Sequence, residues 1–313
     1  MENQLKAIPP NSFKCTPLDP ADSHNFLAQY LYRVLAQGLA EVKPEKKLSK
    51  DAEKRDSRLQ KQIRICNEII NSLERNNIEG FDEAKISKEA KKLLSIMVSA
   101  SDMRFAERPD TPLSIGALLS GTNQDPTLIS QLTKEIATAD RVDILCSFIK
   151  WSGIRILAPA LRMFTKRNDT RLRIITTSYM GATDLKAVNF LSDLPSTEIK
   201  VSYDTHRTRL HAKSYLIHRE TGFSSAYIGS ANISQAALTD GLEWNIKISQ
   251  YEQPYQWDKI SATFETYWND KEFETYDQQG DSKRLEKALI EEASPKTDNE
   301  YIIPYFHSHP ISP

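Results

Sequence analysis

An α/β fold with a mixed sheet, preceded by a helical region, is what this sequence predicts, on three observations. Residues 21–100 repeat apolar side chains at helical spacing, as in "SHNFLAQYLYRVLAQGLAEV" and "RLQKQIRICNEIINSLERN". From residue 109 onward, short β-branched or aromatic runs alternate with helical segments, a β-α-β rhythm that predicts a largely parallel sheet covered by helices. One pair of runs, "HAKSYLIHRETGFSSAYIGSA", is joined by a tight turn at Glu220-Thr221-Gly222 and is therefore antiparallel, which makes the sheet mixed.

Taken in order, the helical region spans 1–108. Its two stripes are followed by a third helix expected over "ISKEAKKLLSIMVSA", and "ERPDTPLS" marks the boundary with its prolines. The polar stretch "VKPEKKLSKDAEKRD" reads as a loop or an exposed helix start. Lys46–Arg75 holds nine Lys/Arg against five Asp/Glu, which suits either a solvated helix face or an approach surface for phosphates. The α/β domain spans 109–278. Its strands are "RVDILCSFIK", "LRIITTS", "TEIKVSYD", "HAKSYLIHR", "SAYIGSA" and "EWNIKIS", and its helices are "PTLISQLTKEIATA", "WSGIRILAPALRMFTKRN" and "ATDLKAVNFLSDL". Residues 279–313 form a last helix and a tail.

Composition narrows the function. With 39% hydrophobic and 27% charged residues a packed core is feasible, and a net charge of -1 means any nucleic-acid surface must come from local segregation of charge. Residues 141–186 hold nine Lys/Arg and three Asp/Glu, whereas residues 252–313 hold thirteen Asp/Glu and six Lys/Arg, so the tail helices are not expected to meet nucleic acid. Cys15, Cys66 and Cys146 are too scattered for a zinc site or disulfide framework, and Cys146 reads as a small core residue. His307 and His309 have no further ligand beside them. With no signal core, no membrane-spanning run and no P-loop, the expected location is the cytoplasm and no membrane is expected as partner.

The chemistry concentrates in "LHAKSYLIHRETGFSSAYIGSANIS". His211 and Lys213, two apart on a strand, share a face, and Ser230 and Asn232 end the next strand. A cation, a hydroxyl and an amide are donors for phosphate oxygens, and an imidazole is a nucleophile or proton shuttle near neutral pH. Glu243 starts the following strand, where a carboxylate can fix the imidazole tautomer. Lys150 and Ser152 lie where a strand hands over to a helix, and helix-start amides can hold a phosphate there. Trp151 suits core or base stacking equally. Arg207 and Arg209 precede the motif strand and either line a substrate groove or solvate a loop.

The series His211, Lys213, Ser230, Asn232 and Glu243 resembles the HxK-GSxN signature of the phospholipase D superfamily. With its flanks "SFIKWSG", "TTSYMGATD" and "FETYWND" it is similar to the phospholipase D-like nuclease domain at the front of bacterial DEAD/DEAH-type helicases, over roughly residues 20–278. The resemblance implies an αβα sandwich and cleavage of phosphodiesters without metal or other cofactor, by an endonuclease acting on DNA rather than RNA. In that family one His attacks phosphorus and a second protonates the leaving oxygen. Lys213, Ser230 and Asn232 then bind phosphate, and Glu243 orients the ring. Because the chain has a single HxK, a homodimer that unites two copies of His211 is expected as the catalytic unit. A role in phage defence or restriction, with a separate helicase or ATPase, follows from the same resemblance. The alternatives are a catalytically degenerate nucleic-acid-binding or recruitment module and, further off, a lipid phosphodiesterase. One position departs from the signature: His218 stands where an Asp is usual, five residues after the Lys.

Overall fold

The computed structural model describes residues 17–44, 51–90, 108–122, 124–204 and 210–294. The chain divides into two compact units, Met1–Lys92 and Leu93–Pro313. In the first, α1 (Ser23–Ala40) and α2 (Asp51–Arg75) carry the two expected stripes. Arg58 and Gln62 donate to the carbonyls of Ala40 and Leu39, tying the end of α1 to α2 at 2.6 and 2.8 Å. The third helix does not begin where its stripe begins. Ile86–Ala90 is irregular chain and turn, held by reciprocal bonds between Asn67 and the backbone of Ile86. The rest of that stretch lies outside the described residues.

The second unit is one eight-stranded sheet. In chain order its elements are β1 (Ala117–Leu119), α3 (Leu128–Ile136), β2 (Arg141–Cys146), α4 (Trp151–Thr165), β3 (Arg171–Thr177), α5 (Leu185–Ser192), β4 (Thr197–Ser202), β5 (Lys213–His218), β6 (Ser225–Gly229), α6 (Gln235–Leu238), β7 (Asn245–Ser249), α7 (Pro254–Asn269), β8 (Phe273–Thr275) and α8 (Gln278–Ala293). The strand order is β1-β7-β6-β5-β2-β3-β4-β8. Only β2–β3 and β3–β4 are parallel, and the other pairs are antiparallel. The sheet is thus mixed as expected but mostly antiparallel. A parallel pair needs a crossover helix, and only α4 and α5 return the chain that way. The β5–β6 turn closes on Gly222, whose φ of +81° suits a residue without Cβ.

One face of the sheet, covered by α3, α4, α5 and α8, holds the main core, including Leu132, Ile154, Leu161, Ile174, Tyr215 and Tyr227. Each such side chain contributes roughly 1.5–3 kcal/mol by leaving water. The last helix belongs to this core through Leu285 and Leu289. Helix α7 covers the other face with Trp257, Phe264 and Trp268 over Leu216 and Ala226.

Two features bear on function. Beyond α7, the strands β1, β7 and β6 align Leu118, Ile246 and Ile228 side by side; Leu118 is 49% and Ile246 54% exposed. Second, Glu135 on α3 is wholly buried among cations. Its carboxylate accepts from Lys247 at 2.7 Å, Arg219 at 3.1 Å and the Tyr227 hydroxyl at 2.6 Å. Burial pushes this carboxyl upward, but Arg219 and Lys247 hold it below the usual carboxylate range. Among the described residues, no helix is long and apolar enough to cross a membrane.

Candidate active site

The β5–β6 hairpin and the start of β7 position the signature residues. Lys213 opens β5 opposite Cys146 of β2 and is 5% exposed, while His211 just before the strand is exposed. The Lys213 Nζ donates to the His211 carbonyl at 2.7 Å and contacts His211 Nδ1 at 3.0 Å. An ammonium only donates, so Nδ1 accepts, and a neutral ring then carries its hydrogen on Nε2. Burial lowers the Lys213 pKa, opposed by the neighbouring Cys146 and Glu243. The Cys146 thiol itself is pushed up to about 12 by burial, which makes it an inert packing group.

Ser230 follows β6. Its hydroxyl donates to Glu243 Oε2 and accepts the Trp244 N–H at 3.2 Å. Glu243 therefore rests on Ser230, while Lys213 holds the imidazole nitrogen that the sequence reading assigned to Glu243. Asn232 is 7% exposed, and its Oδ1 accepts the Phe148 N–H at 3.2 Å. The loop from Ser147 to Lys150 is joined to Asn232-Ile233 by that bond and by Lys150 N–H to Ile233 O at 2.7 Å. Ser152 Oγ accepts the Gln235 N–H at 3.3 Å, so Ser152 docks α4 against α6. Lys150 pairs with Asp184 at 3.2 Å, and the other oxygen of Asp184 takes the Trp151 N–H at 2.8 Å. Trp151 is partly buried and packs edge-on against Phe190. Arg207 and Arg209 lie outside the described residues.

His218 ends β5 on the opposite sheet face, edge-on to Trp257, with Nε2 2.7 Å from Asp143 Oδ2. Asp143 on β2 also takes both forks of Arg173 at 2.7 Å. Burial raises the Asp143 carboxyl, but Arg173 and His218 bring it below the usual range. The carboxylate missing from the HxK strand is thus present on the neighbouring strand, remote from the imidazole of His211.

Sequence reasoning missed Asn245, which opens β7 opposite Gly229. It is 2% exposed, and its Oδ1 has no hydrogen-bond partner among the described residues. A Cβ on Gly229 would lie 2.5 Å from that oxygen and far inside contact with the Trp244 carbonyl, so only glycine lets the amide lie there. The signal was an Asn two residues after Glu243 facing a Gly across the ladder. Asp184 left no such signal, since it reaches Lys150 across the fold. Among the described residues no group of three or more His, Cys, Asp and Glu could hold a metal ion.

The family described as cardiolipin synthase, PLD-like domain matches residues 132–268. No curated protein matches the chain. Among solved structures, NucT from Helicobacter pylori is 16% identical with a TM-score of 0.41, covering 52% of this chain and 99% of its own. The phospholipase D family member Nuc from Salmonella typhimurium is 15% identical with a TM-score of 0.38, covering 52% and 97%. Yeast tyrosyl-DNA phosphodiesterase is 14% identical with a TM-score of 0.32, covering 57% and 41%. Scores this low leave the assignment to the family match, which spans α3 to α7 and every signature residue. Residues 132–268 of this chain are accordingly similar to a phospholipase D-like domain.

Proposed function

We propose that the chain is a metal-independent nuclease, acting on DNA through a phosphohistidine intermediate at a site built by two copies of the chain. The observations that support this reading are the Lys213 ammonium held on the carbonyl and Nδ1 of His211, the Ser230 hydroxyl on Glu243 at the end of the neighbouring strands, and the Asn232 amide bonded to the adjoining loop. A bound diester draws Lys213, Ser230 and the Asn232 amide onto its non-bridging oxygens. That frees Nδ1 of His211 and the Glu243 carboxylate for each other. With its hydrogen on Nδ1, the ring attacks phosphorus through Nε2 while the partner's His211 protonates the departing oxygen. Water, deprotonated by the partner's His211, then cleaves the N–P bond.

The second copy is required because the described part of the chain brings one HxK imidazole to the site. The face of exposed Leu118 and Ile246 with half-buried Ile228 beside them supports it. It runs up to Trp244, which is 66% exposed and follows Glu243 directly. A second copy seated there would meet its twin beside the site.

The test is cleavage of plasmid and single-stranded DNA in EDTA, with mass photometry on the same sample. Cleavage in the chelator by a dimer is expected. Binding without cleavage would replace this reading with the recruitment module, and release of headgroup from phosphatidylcholine with the lipid enzyme.

A further inference from the structure

We infer that the outer face of α4 and α5 is a track that holds the nucleic-acid strand as it leaves the site; this rests on the nuclease reading above. Trp151, Arg155, Arg162 and Lys166 are spaced four, seven and four apart, which puts them on one side of α4 and its C-terminal extension. Arg155, Arg162 and Lys166 are exposed. From Trp151 to Lys166 the row runs about 22 Å, the reach of about six phosphates of one strand.

Aromatic rings are interleaved with the cations. Lys186 of α5 lies 4.3 Å over the Trp151 ring, Trp151 meets Phe190 at 5.5 Å, and Arg162 lies 5.0 Å over Phe190. Neither helix contains an acidic residue, and Asp184 at the head of α5 is engaged by Lys150 and the Trp151 N–H. The row begins at the phosphate site, because the first turn of α4 is bonded to Ile233 and Gln235 just past Asn232. A single-file row of cations fits a linear polyanion threaded through a cleavage site better than it fits a planar lipid surface. By contrast α7 and α8 carry charges of both signs, Asp258 and Glu265 with Lys259 on α7 and Asp281, Glu286, Glu291 and Glu292 with Lys283, Arg284 and Lys287 on α8.

The test uses the full chain bearing His211→Ala, to prevent cleavage, and a fluorescent single-stranded 20-mer titrated across salt concentrations. Adding Arg155→Ala, Arg162→Ala and Lys166→Ala should reduce the slope of log K against log salt by about 2 and weaken binding on the order of 100-fold at 0.1 M salt. In the otherwise wild-type chain the same three changes should lower oligonucleotide turnover relative to that of bis(p-nitrophenyl) phosphate. A control set of equal charge, Lys259→Ala, Lys271→Ala and Lys287→Ala, should leave the slope where it was. An unchanged slope in the first set overturns the track, as does an equal drop in the control set. Loss of binding to phosphatidylserine vesicles with oligonucleotide binding intact would assign the row to a membrane instead. A failed nuclease reading looks different: the wild-type chain would not hydrolyse the small diester at all.

Discussion

His211→Ala should abolish cleavage in EDTA by at least ~10⁴-fold, because on the proposed mechanism the substitution removes nucleophile and proton donor together when two copies share one phosphate. The ring is exposed, and Lys213 keeps the His211 carbonyl as its partner, so the variant should melt close to the wild type. Mixing gives the sharper result. If dimers assort at random, equal amounts of wild-type and variant chain leave about one quarter of the dimers with both imidazoles. Activity should therefore follow the square of the wild-type fraction, measured after the mixture has exchanged subunits. A linear dependence would place both proton-transfer roles inside a single chain, and a variant retaining a tenth of the turnover would move the chemistry away from His211.

Glu135→Gln should be the most damaging single change to stability away from the site. It leaves the Lys247 ammonium and the Arg219 guanidinium buried without their carboxylate. Breaking such a group by removing one partner is worth roughly 3–5 kcal/mol, which for a unit of this size lowers Tm by roughly 10 °C. The pH dependence has a definite sign. The folded carboxyl sits below its ordinary range, so its stabilisation is complete above the unfolded value of about 4.3. It is lost as pH falls through the depressed folded value. The acid limb of Tm against pH should therefore flatten in the variant. Pairing Glu135→Gln with Lys247→Met should cost less than the two changes summed, since the couple is removed together. A Glu135→Gln protein melting within about 1 °C of wild type would show that the cluster is not a stabilising one.

The legible parts of the fold are those that depend on local spacing. His211 and Lys213 come together because they are two residues apart, although His211 lies just before β5 and the buried Lys213 reaches back to it, and the Glu220–Gly222 turn announces an antiparallel partner. Strand direction elsewhere was not legible, because alternation reports burial and says nothing of polarity; what decides it is whether a helix carries the chain back. The three-residue edge strands β1 and β8 are too short to leave a pattern. At β7 the pattern misleads. "NIKIS" reads as isoleucines inward and lysine outward, yet Lys247 is 1% and Ile246 54% exposed. The lysine is drawn in by Glu135, a residue 112 positions earlier that no local window contains. The resting place of Glu243 on Ser230 is likewise a matter of side-chain rotamer, and the motif fixes only that the two are near.

The inverted strand has a kinetic corollary. With Leu118 and Ile246 exposed, the proposed dimer would leave the isolated chain as the sticky species, with coverage by a twin governed by mass action. Dilution, more than heat, would then silence the enzyme. Turnover per molecule would decline as the protein is thinned, and the cell could set hydrolysis by how much of this chain it makes.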